Sequence, residues 1–196
     1  MGERLRAERL FLAVDLPEDV RRALERVQTR YPDLRRELRW VRGEGLHITL
    51  QFLGDVGAEQ KAELLAELAR LPPVEPFTLE CSGVDTFGRV DRARVLWAGI
   101  RGDVGLLARL HAQVERATLA AGFAPEDREF RPHVTLARVR EPARSPGLAG
   151  ALTSLLAAYR GHSFGAVEVD GFTLYSSELT PRGALYTAVY RHPARG

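Results

Sequence analysis

The alternation of apolar and polar positions divides the chain into short strand-like runs separated by stretches of helical period. Residues 9–16, RLFLAVDL, read as a strand, after which Pro17 opens a helix through EDVRRALERVQTRY and Pro32 closes it. LRWV at 38–41 and LHITLQFL at 46–53 read as two strands joined by RGEG, a hairpin by its glycines. AEQKAELLAELARL at 58–71 predicts a helix with Ala62, Leu65, Leu68 and Ala69 on one face, ended by Pro72 and Pro73. The second half repeats this order. Strands at 77–87 and 93–100 precede a helix from about Asp103 to Ala121 with Gly122 as its stop. PHVTLARV at 132–139, a helix-like LAGALTSLLAAY, and the strand-like FGAVEVDGFTLYSSEL and ALYTAVY, linked by TPRG, complete the chain. About seven strands and four helices result, with strands arriving in pairs and helices between the pairs. That order predicts an α+β fold of antiparallel sheets rather than a doubly wound parallel sheet. EPARSPGLAG at 141–150 is expected to be a mobile surface connection.

Composition narrows the class without naming a chemistry. The chain has 196 residues, 45% hydrophobic and 28% charged, as one globular domain or two small lobes with a shared core would have. No apolar run reaches the roughly 18 residues of a membrane-spanning helix, and no signal sequence precedes the first strand, so a cytoplasmic protein without a membrane partner is expected. The single cysteine, Cys81, excludes an internal disulfide framework and a cysteine-rich metal site. Lys61 is the sole lysine among 28 basic residues, yet the net charge is only +2. A nucleic-acid partner would therefore be met at a local site rather than along a broad basic stripe. The bias to arginine fits phosphate recognition, and it fits equally a GC-rich genome and a hot habitat.

One repeat stands out. His47-Ile48-Thr49-Leu50 recurs as His133-Val134-Thr135-Leu136, 133 − 47 = 86 residues on, close to half the chain. In a strand, His47 and Thr49 share one face and Ile48 and Leu50 the other, and the second copy behaves alike. If the two strands lie side by side at the centre of a pseudo-symmetric fold, two imidazoles and two hydroxyls converge on one cleft. A neutral imidazole can take a proton from an attacking water while a charged one donates to a leaving oxygen, which is what phosphodiester cleavage needs. Threonine hydroxyls can donate to phosphate oxygens without altering either histidine's charge. A lone strand histidine is more often a satisfied core residue, but the duplication argues against that reading. A zinc site would need a third ligand that no motif supplies, and no G-x-S-x-G context marks a serine nucleophile. No cofactor or metal is expected.

The opening RLFLAVDLP, the run RWVRGEGLHITLQFLG, the second motif RPHVTLARV and the closing LYSSELTPRGALYTAVYR together resemble the 2H phosphoesterase superfamily. Within it, the chain looks like the RNA 2′,3′-cyclic phosphodiesterases, also called 2′-5′ RNA ligases. The resemblance covers nearly the whole chain. It implies a single bilobal domain over residues 1–196 with pseudo-twofold symmetry, each lobe carrying one motif beside a central cleft. It also implies metal-independent hydrolysis of an RNA terminal 2′,3′-cyclic phosphate to a 2′-phosphate, and reversible 2′-5′ ligation. Carried over by position, His47 is the general acid and His133 the general base, an assignment that could be exchanged, while Thr49 and Thr135 hold phosphate oxygens. Arg138 matches the family's phosphate-binding arginine and Phe52 an aromatic that stacks on the terminal base. Both lie five residues after their histidine, on the opposite face of an ideal strand, so each strand must bulge, twist or end first. Arg131 is a further phosphate-binding candidate. Trp40 and Tyr186 are aromatic candidates for the cleft, with core packing the safer reading for both, and His111, His162 and His192 carry no catalytic expectation. The implied partner is an RNA with a cyclic phosphate end, such as a tRNA half or an oligoribonucleotide, met by a monomer. Two other readings are a non-catalytic module that binds RNA ends or 2′-5′ nucleotides, and the same chemistry on a small cyclic-phosphate metabolite.

Overall fold

The computed structural model describes residues 7–140, 147–180 and 183–193. Most of the connection expected at 141–150, and the tip of the TPRG turn, therefore lie outside the described residues. The strands are β1 (Glu8–Asp15), β2 (Leu38–Trp40), β3 (His47–Val56), β4 (Phe77–Thr86), β5 (Val95–Gly102), β6 (His133–Val139), β7 (Ser163–Val169), β8 (Phe172–Thr180) and β9 (Gly183–His192). The helices are α1 (Glu18–Arg30), α2 (Ala58–Ala69), α3 (Val104–Ala120) and α4 (Leu148–Ala158). The architecture is α+β, and every strand pairing is antiparallel. The apolar run at 164–179 is two strands rather than one, because it breaks at Asp170 and Gly171.

The strands form a single sheet in the order β7-β4-β5-β6-β3-β1-β8-β9, with β2 paired to β6. The two motif strands are neighbours at its centre, joined through the one pair Ile48↔Val134. Beyond that pair β3 and β6 diverge, and β2 takes the place of β3 beside β6, with Leu38 opposite Val139 and Trp40 opposite Ala137. The hairpin expected from 38–53 is thus not formed. The glycines of RGEG close a turn of 3₁₀ helix, Gly43–Gly45, that sends β2 to β6 instead of folding it back on β3. Burial of Leu38 against the core, at 1% exposure, rewards that pairing.

The helices bind the two sides of the sheet together. Val20, Ala23, Leu24 and Val27 form the buried stripe of α1, at the spacing a helix needs to present one apolar face. Although α1 follows β1, it packs on β7 at the far edge, and α3, which follows β5, packs on β3 and α2. Both α1 and α3 therefore cross from the half in which their preceding strand lies to the other. Gly122, at φ 82°, ends α3 in the left-handed conformation glycine favours. In α2 the buried residues are Leu64 and Leu68, not the face through Ala62 and Ala69 that its apolar count suggested. Both alanines are exposed, because α2 covers the fold with only a narrow leucine stripe.

Candidate active site

The Ile48↔Val134 pair fixes the geometry of the centre. Both side chains are fully buried among the core, so the neighbours on either side, His47, Thr49, His133 and Thr135, project to the opposite face. All four are half-buried. In the antiparallel register His47 stands across from Thr135 and Thr49 across from His133, so the imidazoles occupy one diagonal and the hydroxyls the other. Among the described residues neither threonine hydroxyl has a hydrogen-bond partner, which leaves both free for a ligand.

The offset of five residues to Phe52 and Arg138 is resolved by two matching bulges. Across β1 and β3, Leu12 pairs with Gln51 and Ala13 with Thr49, so Leu50 is left over. Across β5 and β6, Leu96 pairs with Ala137 and Trp97 with Thr135, so Leu136 is left over. Each strand thus carries one extra residue three positions after its histidine. Two consecutive residues, Leu50 and Gln51 or Leu136 and Ala137, then turn inward and are buried. The alternation is reset, and Phe52 and Arg138 emerge on the face of the histidines. Phe52 is 60% exposed and lies with its ring 5.9 Å from Phe11. The bulged Gln51 reaches α3, where its Oε1 accepts a hydrogen bond of 2.9 Å from Thr118.

Both imidazoles are held in the same way. Nδ1 of His133 lies 2.7 Å from the carbonyl oxygen of Arg131, two residues upstream, a contact that requires the proton on Nδ1. His47 hydrogen-bonds the carbonyl of Gly45, again two residues upstream. Aromatic rings then flank each imidazole. Phe11 stacks on His47 at 4.8 Å with Tyr186 edge-on at 5.6 Å, and Phe87 and Trp97 meet His133 edge-on at 4.9 and 6.2 Å. Phe11 on β1 and Trp97 on β5 both stand on the strand beside a motif strand, but at different register positions, Phe11 opposite Phe52 and Trp97 opposite Thr135. Gly99, opposite His133, is required by close packing, since a Cβ there would stand 2.7 Å from the carbonyl oxygen of Ser82.

The electrostatics of the two halves differ. Burial among these rings, with a smaller contribution from the charge of His133, pushes the His47 imidazolium down to about 4. Asp15, opposite His47 in the β1 register, and the Gly45 carbonyl act against that fall. Asp15 is itself fixed by Thr173 Oγ1 at 2.8 Å, Tyr175 OH at 2.5 Å and an Arg191 nitrogen at 3.2 Å. Burial, and then the hydrogen bond to Asp15, raise the Tyr175 phenol to about 12.

The remaining candidates divide. Arg131 contributes its carbonyl to His133, while its exposed guanidinium pairs with Glu129 at 3.2 Å and lines a neighbouring cavity of about 700 Å³ together with Trp97, Gly99 and Phe130. Trp40 packs on the core as expected, but Tyr186 packs against His47 and near Arg138. His111 stacks on Phe130, His162 lies against Tyr159 and Phe164, and His192 is buried against the Pro72 carbonyl, all away from the cleft. Among the described residues no three His, Cys, Asp or Glu side chains are gathered as metal ligands would be. Sequence reasoning missed Phe11, Phe87, Trp97 and Asp15. The alternation of β1 and β5 carried the signal, since each sets an aromatic beside a motif strand.

Comparison with known proteins decides the family. A family model described as LigT like Phosphoesterase matches residues 14–97 and 103–186, segments that each hold one of the two motifs. The chain belongs to this family. An RNA 2′,3′-cyclic phosphodiesterase from Aeropyrum pernix is 40% identical over 78% of the chain and 84% of its own length. One from Aquifex aeolicus is 33% identical over 94% of the chain and 96% of its own length. Among solved structures, E. coli LigT complexed with 3′-AMP superposes with a TM-score of 0.75 at 28% identity, covering 97% of this chain and 99% of that one. A Thermus thermophilus protein superposes with a TM-score of 0.74 at 34% identity, covering 96% of this chain and 98% of the other. This LigT-like phosphoesterase therefore shares its overall fold with those solved structures over nearly the whole chain. No helix among the described residues is long and apolar enough to cross a membrane.

Proposed function

We propose that this LigT-like phosphoesterase hydrolyses the 2′,3′-cyclic phosphate at an RNA 3′ end to a 2′-phosphate, using His47 and His133 as acid and base. The observation that carries the reading is the diagonal His/Thr square around Ile48↔Val134, with both imidazoles anchored through carbonyls two residues upstream. Relatives named for this activity support the substrate. The site belongs to one domain whose two halves each bring a motif.

The reaction balances with two imidazoles alone. His133 takes a proton from water, the water oxygen bonds to phosphorus, the P–O3′ bond breaks, and His47 gives a proton to O3′. Thr49, Thr135 and Arg138 meet the negative charge that grows on the phosphate oxygens, and Phe52 offers a face to the terminal base. With a 5′-hydroxyl in place of water, the same steps yield a 2′-5′ linkage. A value of about 4 leaves His47 neutral at pH 7, so its donor role requires that it gain a proton with the substrate. An anionic phosphate beside the ring favours that charged form.

The test is incubation with a short RNA ending in a 2′,3′-cyclic phosphate, in EDTA. A 2′-phosphate product is expected, with a loss of at least ~100-fold in kcat for His47→Ala and for His133→Ala. Full activity in both variants, or activity lost to EDTA, would overturn the mechanism.

A further inference from the structure

Arg39 and Arg138 face each other across β2 and β6. Paired residues on adjacent antiparallel strands project to the same side with Cβ atoms about 5 Å apart, and like charges so placed repel. Both side chains are exposed, and among the described residues neither guanidinium forms a salt bridge. The fold gains nothing from this pair. The bulge at Leu136 nevertheless turns Arg138, and with it Arg39, onto the face of the histidines, and Arg138 lies near Tyr186, whose ring packs on His47. β2 reaches this position only because the Gly43–Gly45 turn carries it to β6.

Charge balance distinguishes the two arginines. A 2′,3′-cyclic phosphate is a monoanion, and Arg138 alone matches it. A second guanidinium alongside is a surplus positive charge that calls for a second anion. We propose that Arg39 binds the phosphodiester joining the terminal nucleotide to the one before it, so that the site measures an RNA chain rather than a lone nucleotide. This rests on the reaction proposed above and extends it to the form of the substrate: oligoribonucleotides are preferred over nucleoside cyclic phosphates and over small metabolites bearing only the reacting phosphate.

The experiment compares a nucleoside 2′,3′-cyclic phosphate with a trinucleotide ending in the same group, for the parent protein, Arg39→Ala and Arg39→Lys. The parent should favour the trinucleotide by at least ~10-fold in kcat/KM, the size of one charged hydrogen bond. Arg39→Ala should erase that preference, leave the mononucleotide within about twofold, and make the dependence of log kcat/KM on log salt shallower by about 0.7 for the trinucleotide. Arg39→Lys should keep most of the salt slope. The melting temperature of Arg39→Ala should not fall, since the replacement relieves repulsion. Equal rates on both substrates in the parent, or an equal loss on both in Arg39→Ala, would overturn the assignment. Absence of turnover on either would overturn the reaction instead, and the salt dependence of trinucleotide 2′-phosphate binding would then still decide the role of Arg39.

Discussion

At the scale of single residues, the two histidines share a motif and an anchoring contact but not an electrostatic setting. His47 lies against Phe11 and Tyr186, and burial holds it near 4 in spite of Asp15. Desolvation disfavours only the charged ring, so anything that returns negative charge to the cleft restores proton affinity. Titration of the ring by NMR should therefore move by at least ~1 unit upward when a nucleoside 2′-phosphate is bound, as an anion within about 4–6 Å requires. Asp15→Asn should shift the free-site value the other way, below 4, by removing the charge that opposes burial. A value unmoved by the nucleotide would leave His47 neutral throughout, and the acceptor's role would pass to it and the donor's to His133. The sequence carried the identity of both rings through their repetition, but not this asymmetry. It arises from Phe11, Tyr186 and Asp15, which stand on other strands and become neighbours only when the sheet forms.

At the scale of elements, the bulges decide what each motif displays. A strict alternation from His47 would bury Phe52 and expose Gln51, and the sequence alone contains no mark of the extra residue at Leu50 or Leu136. The structure shows the converse at both places, with Gln51 3% exposed and Phe52 60% exposed. Inward Gln51 is tolerated because Thr118 on α3 satisfies it at 2.9 Å, a contact between residues 67 apart in sequence. Thr118→Val should destabilise the protein by about 1–3 kcal/mol by leaving the amide unpaired. Gln51→Leu combined with Thr118→Val should cost less than the sum of the two single changes, because neither variant side chain then demands a partner. Denaturant unfolding of the four proteins gives the comparison, and simple additivity would show that the pair is not coupled. Phe52→Ala, by contrast, should leave stability unchanged within about 0.5 kcal/mol and raise KM, as befits an exposed ring. The expected hairpin at 38–53 failed for a similar reason. Its glycines were legible as a turn, but which strand would receive β2 depended on the gap that opens where β3 and β6 part.

At the scale of the whole molecule, the cleft exists because a five-stranded set, β7-β4-β5-β6 with β2, and a four-stranded set, β3-β1-β8-β9, meet along one pair of residues. The pairing of β4 with β5 and of β8 with β9 and the intervening helices followed from the pattern of the chain, whereas the pairing of β2 with β6 and the crossing of α1 and α3 to opposite halves did not. Those helices pack across the sheet, but Ile48↔Val134 is the only paired position between the motif strands, and it lies directly beneath the four polar side chains. Catalytic groups must be held to within fractions of an ångström, so small shifts at this seam matter more than their energy suggests. Ile48→Val removes one methylene from a fully buried site and should cost about 1 kcal/mol, while Ile48→Ala should cost about 2–5 kcal/mol and leave a cavity under the cleft. Measured well below the melting temperature, kcat should fall at least ~10-fold in Ile48→Ala and KM should change far less, because misalignment of the imidazoles acts on the transition state more than on binding. A variant of matched destabilisation elsewhere, Leu64→Ala under α2, should lose stability to a similar degree and keep its kcat. If Ile48→Ala keeps its kcat as well, the crossing helices rather than the seam set the distance between the two histidines.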